Sequence, residues 1–172
     1  KRQINNRTSG LSAYEADISI WGEETQLLVK NNWIEGNVST NHGGGLGVSD
    51  GAAPVIDSNV IVSNSIGSGA GVGIFVQAAG NVTITNNIVA RNVITTGYKT
   101  GSGITIFGSP AYVVNNTIAS NAHGGVYLFD PDGAVFVNNI VYGNGGNGLE
   151  VYTDTQVSLT ADYNDVWGSA YN

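Results

Sequence analysis

The residues best suited to chemistry in this chain are carboxylates gathered in its last third. The turn "FDPDG" at 129–133 carries Asp130 and Asp132, "TDTQ" at 153–156 carries Asp154, and Glu150 lies on the run before it. Carboxylates brought together from neighbouring turns suit Ca²⁺, which takes six to eight oxygen ligands. Asp130, Asp132 and Asp154 are therefore candidate Ca²⁺ ligands. A carboxyl group whose pKa is raised can instead trade protons with a substrate. Glu150 and Asp130, with Lys99 as the basic partner, are the candidates for that work. Asp-Pro-Asp-Gly is also a strong turn former, which accounts for the same residues with no ligand at all.

Other chemistry is scarce. The chain has no cysteine, which removes any thiolate metal site, and its two histidines are too few for a typical zinc site. There is no phosphate-binding glycine loop. Apart from Ca²⁺ at the acidic turns, no cofactor is expected. The net charge of −7 disfavours nucleic acid and anionic membranes, which both call for a basic patch. No apolar run is long enough to insert in a membrane. The chain starts at Lys1 and contains no methionine, which reads as a processed protein or a stretch of a longer one. An extracellular or cell-surface location is expected, with the export signal lying outside this sequence.

The elements that must position these groups are legible as a repeat. Asparagine followed two places later by an aliphatic residue occurs as Asn32/Ile34, Asn59/Ile61, Asn87/Val89, Asn116/Ile118, Asn139/Val141 and Asn164/Val166. A second asparagine follows five places after the first in five copies, at 37, 64, 92, 121 and 144, and Ser169 takes that place in the sixth. Next comes a glycine opening an alternating run: "GLGV", "GIFV", "GITI", "GVYL" and "GLEV". The whole chain, 1–172, is thus one domain of about six coils of 23–29 residues, each with three short strands and three turns. A unit this short cannot bury its own apolar face, so copies must stack with their strands in parallel.

This pattern resembles the right-handed parallel β-helix superfamily, a pectate-lyase-like solenoid with generic "N-x-I-x-x-N…G-I" repeats. The expected fold is all-β, with three parallel sheets and an internal asparagine ladder at one corner. Val29, Ile56, Ile84, Val113 and Phe136 should line the first sheet inside. Ile34, Ile61, Val89, Ile118 and Val141 should line the second, and Leu46, Ile74, Ile104, Val126 and Leu149 the third. The segment "YLFDPD" is also similar to a "Y-G-F-D-P-H" segment of alginate C5-epimerases. Tyr127, Phe129, Asp130 and Pro131 match it, and Asp132 stands where that family has its proton-transferring histidine.

Function in a solenoid belongs to outward columns and loops. Over the third sheet the outward column Phe75, Thr105, Tyr127 and Glu150 forms the floor of an expected trough, walled by long loops that bring Tyr98 and Lys99. These six are the candidate ligand contacts, with a polysaccharide as the ligand. On the second sheet, Trp33, Val60, Val62, Ile88, Ile140, Tyr142 and Trp167 make an apolar stripe fit for packing against another copy. The expected role is an extracellular scaffold acting in assembly or carbohydrate binding. The alternative that the resemblance implies is a polysaccharide lyase, epimerase or hydrolase using the late acids. Four N-x-S/T sequons, at Asn6, Asn37, Asn81 and Asn115, would matter in a glycosylating host.

Overall fold

The computed structural model describes residues 2–4, 16, 18–97 and 99–170. Its strands stack into three long sheets in which every pairing is parallel, so each coil lies on the next like a turn of a spring. The first sheet runs from Leu28–Lys30 to Leu159–Asp162 and the third from Ile18–Trp21 to Leu149–Tyr152, six strands each. The second has seven, because Arg2–Ile4 pairs with Asn32–Ile34 ahead of the first copy recognised in the sequence.

The repeat register is kept throughout. Ile34 pairs with Ile61, Ile61 with Val89, Val89 with Ile118 and Ile118 with Val141. Side chains alternate along a strand, so keeping register keeps every aliphatic column inside. All the expected core residues are buried except Leu149 of the last coil, which packs half-exposed against the same core.

Asparagine is a poor strand residue, and here it sits at the corners. Asn87 uses all four of its side-chain hydrogen-bonding positions. Its Oδ1 accepts from the backbone N of Asn59 at 2.9 Å and from Asn59 Nδ2 at 3.0 Å. Its Nδ2 donates to Asn116 Oδ1 at 3.0 Å and to the Ile56 carbonyl at 2.8 Å. The pattern continues from coil to coil, satisfying backbone groups that the corner takes out of the sheet. One ladder was expected; there are two. Asn37, Asn64, Asn92, Asn121 and Asn144 form the second by the same bonds. Ahead of each ladder asparagine the chain turns through left-handed backbone, as at Asn86 (φ 57) and Arg91 (φ 57).

The glycine column works differently from the corners. Gly73 and Gly103 keep ordinary φ, but a Cβ on Gly73 would lie 2.5 Å from Val89 Cγ1 and 2.6 Å from the Gly103 oxygen. Glycine is present there because two coils touch backbone to backbone, and not to supply a left-handed turn.

The long loops between the second and third sheets are also more than wall. Val38–Ser39, Ser65–Ile66 and Val93–Ile94 pair as a small parallel sheet of their own, and Gly69–Ala70 pairs with Lys99–Thr100. Ile66, Val72 and Ile94 close a separate small core beneath them.

Candidate functional site: the outer face of the third sheet

Each strand of the third sheet sends two side chains outward. One column is Ser19, Gly47, Phe75, Thr105, Tyr127 and Glu150, in strict register. The other is Trp21, Ser49, Gln77, Phe107, Phe129 and Tyr152.

The expected trough is closed in its middle. Phe75 is 2% exposed and Thr105 0%, so both lie beneath the loops and not on the open floor expected from the sequence. The loops lie down on the sheet instead of standing beside it. Gly71 (φ +64) runs so close that a Cβ there would meet Phe75 Cα and Cβ at 2.9 Å, and one on Gly101 (φ +56) would meet Tyr127 Cβ at 2.8 Å. Thr105 Oγ1 donates to the Gly101 carbonyl at 3.1 Å. The His42 ring stacks on Phe75 with centroids 4.4 Å apart. Its Nδ1 accepts a hydrogen bond from the Ala70 amide at 3.0 Å, so that nitrogen carries no proton. Burial pushes the His42 pKa below its ordinary value.

Tyr127 and Glu150 remain half-exposed in this column, and Glu150 Oε2 accepts from Asn147 Nδ2 at 2.8 Å. Lys99 lies in the small loop pairing opposite Gly69. Tyr98 falls outside the described residues, as does the sequon at Asn6. Asn37, another sequon, is 1% exposed within the second ladder and is not a glycan acceptor in the folded chain.

The second outward column is the aromatic one. Phe107 and Phe129 have centroids 5.3 Å apart, and Phe129 and Tyr152 stack at 5.3 Å and 19°. Tyr127 meets Phe107 edge-on at 5.8 Å. The rings are one strand spacing apart, which puts them in contact along the axis. Two depressions open beside this row. One, of about 270 Å³, is lined by Ser19, Trp21, His42, Gly47, Ser49, Asp50 and Phe75 among others. A shallower one, of about 250 Å³, lies over Gln77, Ala78, Phe107, Gly108 and Phe129. Sequence reading missed Trp21, Phe107 and Tyr152 because it followed one outward column per strand. The signal was present in "GITIF", "GVYLF" and "GLEVY", whose fifth residue is aromatic each time.

The acidic turns adjoin the far end of this row. Asp130 Oδ1 accepts from the Asp154 amide at 3.0 Å, and Asp132 Oδ1 from the Ser158 amide at 3.0 Å. Asp154 Oδ1 accepts from the Tyr152 hydroxyl at 2.8 Å, which raises the Tyr152 pKa. These carboxylates tie one turn to the next. Among the described residues no three acids or histidines gather in a way that could hold a metal ion, so Asp130, Asp132 and Asp154 are not brought together as a cation cage.

On the second sheet the expected stripe is present in part. Ile88, Ile140, Tyr142 and Trp167 are exposed, and Tyr142 and Trp167 pack with centroids 4.2 Å apart. Val62 is buried at 2% and drops out of the stripe; Trp33 and Val60 are half-buried, with Trp33 Nε1 donating to Glu35 Oε2 at 2.6 Å.

No curated protein and no solved structure matches this chain. A family described as a right-handed beta helix region matches residues 16–171, nearly the whole sequence. With that match and the parallel coils and register described above, the chain belongs to the right-handed β-helix family.

Proposed function

We propose that this β-helix is a non-catalytic carbohydrate-binding scaffold that acts outside the cell and meets its glycan on the outer face of the third sheet. The observation that carries the reading is the coincidence, on that one face, of the aromatic row and the two depressions beside it. Binding sites are concave, largely apolar and furnished with a few polar groups. Gln77, Asn147 and Glu150 supply such groups beside the rings. The excess of acidic over basic residues favours neutral polysaccharides over uronate polymers. The turn carboxylates are engaged with backbone amides, and Asp132 stands in place of the epimerase histidine, so a scaffold fits better than a lyase or epimerase.

Electrophoresis through gels holding neutral or acidic polysaccharides tests this. Retardation by a neutral polymer, reduced severalfold in Tyr152→Ala and with no product released on long incubation, is the expected result. No retardation by any polymer would sink the reading, and turnover would move it to the enzymes of this fold.

The exposed Ile88, Ile140, Tyr142 and Trp167 favour a second activity, self-association through the second sheet.

A further inference from the structure

Most glycines of the third-sheet corner are forced by the backbone, but Gly47 is not. Its φ is not left-handed, and among the described residues a Cβ built on it would meet a single neighbour, Ala16 Cβ at 3.1 Å. By contrast, a Cβ on Gly45 would sit 2.8 Å from the Gly73 oxygen. The neighbours of Gly47 in its outward column are Ser19 and Phe75. The missing side chain at this position is what leaves the 270 Å³ cleft open between Trp21 on one side and the His42–Phe75 stack on the other.

We propose that this cleft is a subsite for one neutral pyranose ring, held against Trp21 and bonded through its hydroxyls to Asp50, Ser49 and His42. The proposal rests on the carbohydrate-binding reading above and deepens it. The volume lies just under the usual range for small-molecule pockets, roughly 300–1,000 Å³, and so suits a single ring. The indole of Trp21 is 69% exposed, a flat apolar surface for the C–H face of a sugar. Around it the polar groups offer both signs of hydrogen bonding. Asp50 presents an acceptor carboxylate, to which Ser49 Oγ donates at 3.3 Å. His42 accepts at Nδ1, so in its neutral form Nε2 carries the proton and donates. A polyhydroxyl ligand, each of whose hydroxyls both donates and accepts, matches such a set. A uronate does not, since among the described residues the lining contains one carboxylate and no lysine or arginine.

The test uses the whole chain with methyl glycosides of neutral hexoses as single-ring probes, the methyl glycoside of galacturonic acid, its carboxylate free, as the acidic probe, and choline as a cationic one. Binding is followed by calorimetry and by tryptophan fluorescence. A neutral glycoside should bind, at least tenfold tighter than the galacturonic acid glycoside. Gly47→Val, which fills the cleft, and Trp21→Ala, which removes the exposed platform, should each weaken it at least tenfold. Tyr112→Ala, on the first sheet, should leave it unchanged, and thermal unfolding should show all three variants folded. Should Gly47→Val not fold, Trp21→Ala decides alone. Retention of binding in Trp21→Ala, or binding of choline in preference to every sugar, overturns the subsite. If single rings fail while neutral polymers still retard the protein in gels, the subsite is wrong and the broader reading stands. If neither binds, both are wrong.

Discussion

A ladder asparagine is a saturated hydrogen-bonding group, and that determines what its loss costs. Asn92 Oδ1 accepts from Asn64 N at 3.0 Å and Asn64 Nδ2 at 3.1 Å, while its Nδ2 donates to Ile61 O at 3.2 Å and Asn121 Oδ1 at 3.0 Å. Asn92→Leu keeps the branching of the side chain and abandons all four partners. A buried group left unpaired costs about 1–3 kcal/mol, so the substitution should destabilise by at least about 3 kcal/mol in urea titrations. The exposed Asn81→Ala should fall within about 0.5 kcal/mol of the parent. His42 makes a prediction of a different kind. Burial lowers its pKa from 6.5, so on acidification the unfolded chain takes up the proton first. Its contribution is complete above pH 6.5 and is lost as the pH falls through the folded-state pKa. The stability difference between the parent and His42→Gln should therefore shrink below pH 6.5; a difference that stays flat with pH would show that the ring is not held neutral by its burial against Phe75.

At the scale of the coil, what could be read from sequence was whatever repeats with period two. The inward columns, their register and the first asparagine ladder follow from alternation plus a recurring anchor, and the structure shows them. The second ladder escaped because a lone asparagine at a fixed offset carries no sign of pointing inward. Loop length was legible, but not the direction in which a loop folds. Gly71 and Gly101 let the loops press onto Phe75 and Thr105, and nothing in "SIGSGAGV" distinguishes that from a loop held in solvent. The role of the glycine column was not legible for a related reason: a glycine at a fixed place does not show whether it turns the chain or makes room for a neighbour, and it is the coil spacing that demands contact. Gly73→Ala should then cost about 1–3 kcal/mol through overpacking against Val89 and the Gly103 carbonyl, with no relief from a conformational change elsewhere. Corner backbone gives the opposite expectation at Tyr163. This residue takes the left-handed position (φ 52) that Asn31, Asn86, Asn115 and Asn138 occupy in other coils, and its side chain is 80% exposed. Asparagine tolerates that conformation better than tyrosine, so Tyr163→Asn should stabilise by up to about 1 kcal/mol, read as a higher melting temperature.

A stacked solenoid has no closed surface of its own: each face is a ladder of identical positions, so a single apolar choice recurs along the axis. The second sheet shows the consequence. Ile88 and Ile140 stand exposed with Thr117 between them in register, and Tyr142 and Trp167 continue the patch in the neighbouring column. Against this attraction stands a net charge of −7, since two copies meeting through this face bring like charges together. The two terms respond oppositely to salt. Adding salt screens the repulsion, whose reach falls from about 10 Å at 0.1 M to about 3 Å at 1 M, and leaves the apolar contact intact. Self-association should therefore strengthen as sodium chloride rises, giving a light-scattering mass that grows with both salt and protein concentration. Ile140→Lys places a charge in the patch and should hold the protein monomeric at every salt concentration. An association that weakens with salt would point to ion pairs in place of the apolar patch, and a parent chain that stays monomeric at 1 M salt would leave this face with no part in assembly.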